Sequence, residues 1–209
     1  MSVNAVAWAW RSTLAVKIAP VVVVLAVLAA QLNAEYLNDY WLDATGKATV
    51  AMIILAPASA GLAAWEAVKW RDSANLAGAV RPRVQIALFL LRPVAALAAV
   101  GLIISALVSA ARVLGTPGYP SLTWLAMVFV VLLAHIAVGW ALGSFLPKSV
   151  AMAVSAAASF VWLTYPPVFQ PFWIRNVTGH LGTSCCDLDQ QLAHEALWGP
   201  TILALAVLG

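Results

Sequence analysis

Long apolar runs separated by short charged clusters dominate the sequence. A helix needs about 20 residues to cross the hydrocarbon core of a bilayer. By this measure five runs predict membrane-spanning helices, at residues 18–32, 48–68, 94–111, 122–146 and 150–165. The first reaches span length if its helix begins upstream, near Thr13. A sixth run, 201–209, follows Pro200 and predicts the first half of a span that is incomplete in this chain.

The composition agrees with a membrane location. Hydrophobic residues make up 64% of the chain and charged residues 9%, whereas about a quarter of the residues of a typical soluble domain are charged. This excludes a soluble enzyme, a disordered tail and a nucleic-acid-binding module, although the net charge is +3. We therefore predict an all-α polytopic integral membrane protein, in contact with the lipid bilayer, with one transmembrane domain over residues 1–209.

The distribution of basic residues predicts the orientation in the membrane. With the N-terminus in the cytoplasm, eight Lys and Arg residues fall in cytoplasmic segments and three outside, which agrees with the positive-inside rule. We therefore expect a multi-pass protein of the plasma membrane. Residues 1–16, with two tryptophans, predict a helix along the inner surface. Residues 69–92 form the longest cytoplasmic segment, and residues 169–198 an outer segment.

The sequence lacks the motifs of the common catalytic sites. No G-x-x-x-x-G-K-[ST] phosphate-binding loop occurs, and Trp198 stands where a zinc protease starting at His194-Glu195 needs its second histidine. We predict no catalytic residue and no cofactor bound by this chain. His135 lies deep in a predicted span. It either hydrogen-bonds a backbone or hydroxyl group of another helix or lies on a substrate path.

The adjacent cysteines of the outer segment, Cys185 and Cys186, allow three interpretations. They could form a disulfide with each other, since the outside of a cell is oxidising. They could pack without chemistry. They could also bind a metal ion with the other donors of the segment, His180, Asp187, Asp189 and His194. Spacing alone does not place the histidines beside the thiols, so we keep the disulfide as the candidate and assign no metal site.

Gly139 and Gly143 form a G-x-x-x-G pattern in the fourth span. Such a pattern lets two helices approach closely, so we interpret the two glycines as helix-packing residues and only weakly as a dimer interface.

Residues 66–83, after the second span, mix acidic, basic, amide and apolar side chains. This segment is either an interfacial loop that follows the positive-inside rule or a short water-facing helix that docks into a soluble partner. The side chains that would contact such a partner are Glu66, Lys69, Trp70, Arg71, Asp72, Asn75, Leu76, Arg81 and Arg83.

The stretch AAWEAVKWRDSANLAGAVRPR, residues 63–83, resembles the connection between spans two and three of actinobacterial ABC-2-type exporter permeases. The predicted lateral N-terminal helix, six spans and outer segment are similar to that family too. The resemblance implies that the nine side chains named above belong to a coupling helix on a separate ABC ATPase subunit, which binds ATP and Mg²⁺. It also implies pairing with a second copy or a homologous permease.

The sparse polarity of the spans favours a hydrophobic or amphipathic cargo, which the resemblance implies is exported. The alternative is a membrane scaffold or sensor that transports nothing, whose outer Cys/His/Asp segment binds a ligand or a metal.

Overall fold

The computed structural model describes residues 13–32, 40–74, 83–166, 174, 177–179 and 194–208. These residues are mostly helical and contain no strand, so the all-α prediction is confirmed. They form the helices α1 (Leu14–Gln31), α2 (Trp41–Thr49), α3 (Met52–Ala74), α4 (Arg83–Ala110), α5 (Leu122–Phe145), α6 (Lys148–Thr164) and α7 (His194–Leu208).

Within this part of the chain, four helical segments are long and apolar enough to cross a membrane. They are Leu14–Gln31, Trp41–Asp72, Gln85–Ala110 and Leu122–Phe145, and the second joins α2 and α3 across a turn at residues 50–51. The 17-residue α6 and the apolar part of α7 are shorter. A helix of 17 residues rises about 26 Å, close to the hydrocarbon thickness of about 30 Å. The apolar helices support a membrane protein, while the six-span topology stays a prediction.

The helices bury many small and polar side chains and expose many large apolar ones, although Trp124 and Leu132 are buried too. Ser59 on α3 and Ser105 on α4 are fully buried. By contrast, Leu28 on α1 and Ile103 on α4 are more than half exposed. A water-soluble bundle does the reverse, since Leu and Ile are among its most buried residues. Small residues at helix contacts are typical of helices that associate in lipid. The outer surface is therefore suited to hydrocarbon.

The helix α2 begins before the second predicted span, 48–68, and places charged residues inside the bundle. The structure buries Lys47 and Asp43 to 3% and 1% exposure on a nine-residue helix that packs against α4. The indole of Trp41 donates to the carbonyl oxygen of Thr116 at 3.2 Å, and the backbone N–H of Ser121 donates to the Thr45 hydroxyl at 3.2 Å. Polar contacts to the α4–α5 loop thus hold a charged segment inside the bundle.

Four helices continue through a proline: Pro20 in α1, Pro57 in α3, Pro93 in α4 and Pro200 in α7. Membrane helices tolerate proline because neighbouring groups satisfy the freed backbone. The last helix therefore begins at His194, upstream of Pro200. The sequence analysis predicts that it begins only after the proline, at residue 201. Likewise, α1 begins at Leu14 with Thr13 as its N-cap residue.

The central helix is α3. It contacts α1, α4, α5 and α6, and its contact with α5 is the most extensive between any two of the described helices. Its last turns meet the end of α5, the start of α6 and the last residue of α7 at one end of the bundle. This end, where α3 ends and α4 begins, is called the charged end below.

Candidate functional site

Arg71 joins the last turn of α3 to the end of α5. Its Nη1 donates to the carbonyl oxygens of Leu146 at 2.9 Å, Ser144 at 3.3 Å and Gly143 at 3.4 Å. The last carbonyls of a helix have no partner within it and carry partial negative charge. Arg71 therefore caps α5 with a cation and fixes the distance between the two helices at the charged end.

Asp72 forms a second link, to the start of α6. Its carboxylate oxygens lie 3.9 Å from Lys148 Nζ and 3.9 Å from Arg71 Nε. Lys148 also lies over the ring of Trp65, 6.0 Å from its centroid. Exposed ion pairs contribute only about 0–1 kcal/mol each, so the carbonyl contacts of Arg71 are the stronger part of this link.

Glu66 is buried, which corrects the water-facing position predicted for it. Its side chain is 2% exposed and lies beside the backbone N–H of Leu14 at the start of α1. The Nζ atom of Lys69 lies 3.8 Å from Oε2. Glu66 follows Ser59 and Leu62 on the buried face of α3, and the helical period carries it inward together with them.

The structure divides the remaining predicted coupling residues into two groups. Lys69 is exposed and Trp70 is half-buried, both in the last turns of α3, so the described part of the segment continues the span. Asn75, Leu76 and Arg81 lie outside the described residues, and Arg83 starts α4 with a side chain that is not described. Cys185 and Cys186 also lie outside them.

A cleft of about 880 Å³ opens at the charged end between α3, α4, α5 and the end of α7. It is called the basic cleft below. Its polar and aromatic lining comes from Trp70, Arg71, Arg92, Trp140 and Ser144, and its apolar lining includes Leu88, Leu91, Leu133 and Ile136. The guanidinium of Arg92 lies 5.7 Å from the ring centroid of Phe89, one turn earlier in α4. The sequence analysis did not identify Arg92 as a site residue. The sequence does not show that Arg92 on α4 lies in the same cleft as Trp70 and Arg71 on α3.

A smaller cavity of about 330 Å³ lies between α5, α6 and α7. Two of its lining residues, His135 and Ser159, hydrogen-bond each other, with 2.8 Å between Nδ1 and Oγ. This is the hydroxyl contact with another helix that the sequence analysis gives as one reading of His135. The rest of the lining is almost entirely apolar, so the cavity offers one polar pair in an apolar environment.

Gly139 and Gly143 both face α3 of the same chain. A Cβ atom at Gly139 would lie 2.7 Å from the Cα atom of Ala60, and one at Gly143 would lie 2.6 Å from the Cα atom of Ala64. No side chain fits between helices so close, and the G-x-x-x-G face is filled by a helix within the chain.

Within the part of the chain that the structure describes, no group of three His, Cys, Asp or Glu side chains is placed to hold a metal ion. The donors of the outer segment lie outside that part. Comparison with protein-family models, with curated proteins and with solved structures finds no match to this chain. Its function is therefore argued from the sequence and the geometry alone.

Proposed function

We propose that this chain is the membrane-spanning permease subunit of an ATP-driven exporter of the ABC type. In this proposal it lies in the plasma membrane with its N-terminus in the cytoplasm and catalyses no reaction itself. A separate ATPase subunit binds ATP and Mg²⁺, and a second copy or a homologous permease completes the membrane part. The cargo is a hydrophobic or amphipathic compound.

The observation on which the proposal rests is the position of Trp70 and Arg71 in the structure. Both belong to the segment predicted to contact the ATPase, and both line the basic cleft. A partner that moves these residues would also change the walls of the cleft. Coupling of ATP hydrolysis to transport needs such a link between the partner surface and the cargo space.

The packing of α3 supports this link mechanically. The helix has 23 residues, about 35 Å of continuous α-helix, and its backbone lies against α5 at Gly139 and Gly143. Close-packed interiors transmit displacement because they have little free volume. A push on the last turn of α3 would therefore shift α3 relative to α4, which forms the opposite wall of the basic cleft.

The charges support the proposed orientation. Of the Lys and Arg residues on the described helices and turns, most lie at the charged end, and Lys47 and Arg112 lie toward the other end. The positive-inside rule then places the charged end in the cytoplasm, where an ATPase subunit would meet it.

The test is the double substitution Trp70→Ala with Leu76→Ala. The affinity-tagged chain is purified in mild detergent with its partners, and an ATPase subunit is identified by its P-loop motif and by Mg²⁺-dependent ATP hydrolysis. We expect the double variant to insert normally but to lose the ATPase subunit and cargo-stimulated turnover, because buried aromatic anchors dominate binding at interfaces.

Trp198→Ala is the matched control, since Trp198 is 61% exposed near the start of α7, at the opposite end of the bundle. It should keep the ATPase. Two results would contradict the proposal: a wild-type chain that retains no P-loop ATPase, or a double variant that stays fully coupled.

A further inference from the structure

The basic cleft combines a cationic mouth with an apolar wall. Arg71 and Arg92 line it, and none of its described lining residues is acidic. Leu88 and Leu91 of α4 face Leu133 and Ile136 of α5 along the rest of the lining. The ligand that matches both parts is an amphiphile with an anionic head group and a hydrocarbon tail.

Several donors in the cleft are available to such a head group. Among the described residues, Arg92 has no acidic or hydrogen-bonding partner, and its guanidinium lies over the ring of Phe89. The indole N–H groups of Trp70 and Trp140 likewise donate to no group in that part of the chain. Charge-assisted hydrogen bonds from such donors are about twice as strong as neutral ones.

The depth of Arg92 suits the head group of a lipid. From Pro93 to the end of α4 at Ala110 the helix has about 18 residues, which rise about 27 Å, close to the thickness of the hydrocarbon core. If the hydrocarbon core ends at Ala110 on the far side, Arg92 falls at its near edge, at the level of lipid phosphates, and Leu88 lies on the head-group side of it. Tryptophan is enriched at this same level.

We propose that the basic cleft is a binding site for an anionic phospholipid. Its phosphate contacts Arg92 and the two indole N–H groups, and one acyl chain lies along Leu91, Leu133 and Ile136. Basic pockets between membrane helices bind anionic head groups by the same physics. This inference concerns binding alone, so it holds or fails independently of any ATPase partner.

The test measures phospholipid retained by the purified chain in detergent micelles, by native mass spectrometry. Phosphatidylglycerol and phosphatidylcholine with identical acyl chains are offered in equal amounts. We expect the chain to retain phosphatidylglycerol preferentially and Arg92→Gln to lower that retention about tenfold, as for loss of a hydrogen bond to a charged group. Arg92→Lys, which keeps the charge, should keep most of the retention.

Lys148→Gln is the matched control, because Lys148 is an exposed cation at the same end but does not line the cleft. The proposal is wrong if the two lipids are retained equally, or if Lys148→Gln lowers retention as much as Arg92→Gln. Displacement of the lipid by millimolar inorganic phosphate would also overturn it, since that result indicates a site for a small anion.

The unaltered chain gives a second readout that does not depend on a variant folding. Phosphatidylglycerol with a photoactivatable group on its acyl chain is irradiated with the wild-type chain, and the modified peptides are sequenced. We expect adducts on the α4 and α5 residues of the apolar lining. Adducts confined to helix faces outside the cleft would contradict the proposal.

Discussion

Replacing Gly139 or Gly143 by alanine tests the contact on which the whole bundle depends. The added methyl group at residue 139 would lie 2.7 Å from the carbonyl carbon and the Cα atom of Ala60, and closer still to the carbonyl oxygen. At residue 143 it would lie 2.6 Å from the Cα atom of Ala64. Carbon atoms in contact are normally about 3.5–4.0 Å apart, so α5 must move away from α3 by about 1 Å.

The cost of that movement follows from the atoms involved. They belong to the backbone of α3, so no side-chain rotation relieves the overlap. Overpacking of this kind costs about 1–3 kcal/mol, and the better helix propensity of alanine offsets about 1 kcal/mol of it. Because the overlap is with rigid backbone atoms, we take the upper end of that range and expect each variant to lower the free energy of unfolding by about 2 kcal/mol, and the double variant to lower it further.

The free energy of unfolding can be measured by titrating the chain in mixed micelles with a denaturing detergent and following helix content by circular dichroism. Gly101→Ala is the control, because a Cβ atom there would meet only the side chain of Leu55, which can rotate. It should change stability little. A further substitution, Ala60→Gly, should not rescue Gly139→Ala, since the overlap is with main-chain atoms. If both glycine variants are as stable as the wild type, the α3–α5 packing described above is wrong.

Three further predictions concern the charged end, the orientation and the histidine cavity. In a cysteine-free background, a cysteine at Ser73 should be protected from a membrane-impermeant thiol reagent in intact cells and one at Thr116 should react; the reverse pattern would refute the orientation. Arg71→Ala should lower the free energy of unfolding by about 1–3 kcal/mol, because it leaves the last carbonyls of α5 without a charged donor, whereas Lys148→Ala, which breaks an exposed ion pair with Asp72, should change it by less than about 1 kcal/mol; equal effects would contradict the capping role. Ser159→Ala should cost about 1 kcal/mol in the same titration by leaving the histidine nitrogen without its partner, and no loss would show that the hydrogen bond does not stabilise the bundle.

The apolar runs of the sequence were sufficient to predict helices, and their pattern predicted most of the chain as membrane-facing. The segment around Asp43 and Lys47 shows where that reasoning fails. Averaged hydropathy assigns two charges within five residues to a polar loop, although the structure buries both on α2. Burial there depends on contacts with the distant α4–α5 loop, and a pattern along the chain does not contain such contacts.

The candidate site likewise has one part that the sequence predicts and one part that only the three-dimensional structure shows. The cluster from Lys69 to Asp72 could be found from the sequence because charged residues follow a span. The basic cleft could not, since it forms only when Arg92 of α4 and Trp140 of α5 are brought beside Trp70. Their separations along the chain carry no signal that they share a cavity. Glu66 was misplaced for a related reason, because a helix that continues past the membrane boundary keeps its buried face.

The helices that contain a proline can bend at it, whereas the helices without a proline are stiffer. A proline nitrogen carries no hydrogen, so the carbonyl group one turn earlier has no donor within its helix, and bending at that turn breaks no hydrogen bond. The helices α5 and α6 contain no proline, whereas α3 has its hinge at Pro57, just before Ala60 and Ala64 where it touches α5. Because Ala60, Ala64 and Arg71 hold this arm of α3 against α5, the arm and α5 would swing together about Pro57. A small tilt at that pivot becomes a larger displacement at Trp70 in the charged end, about 13 residues or about 20 Å away.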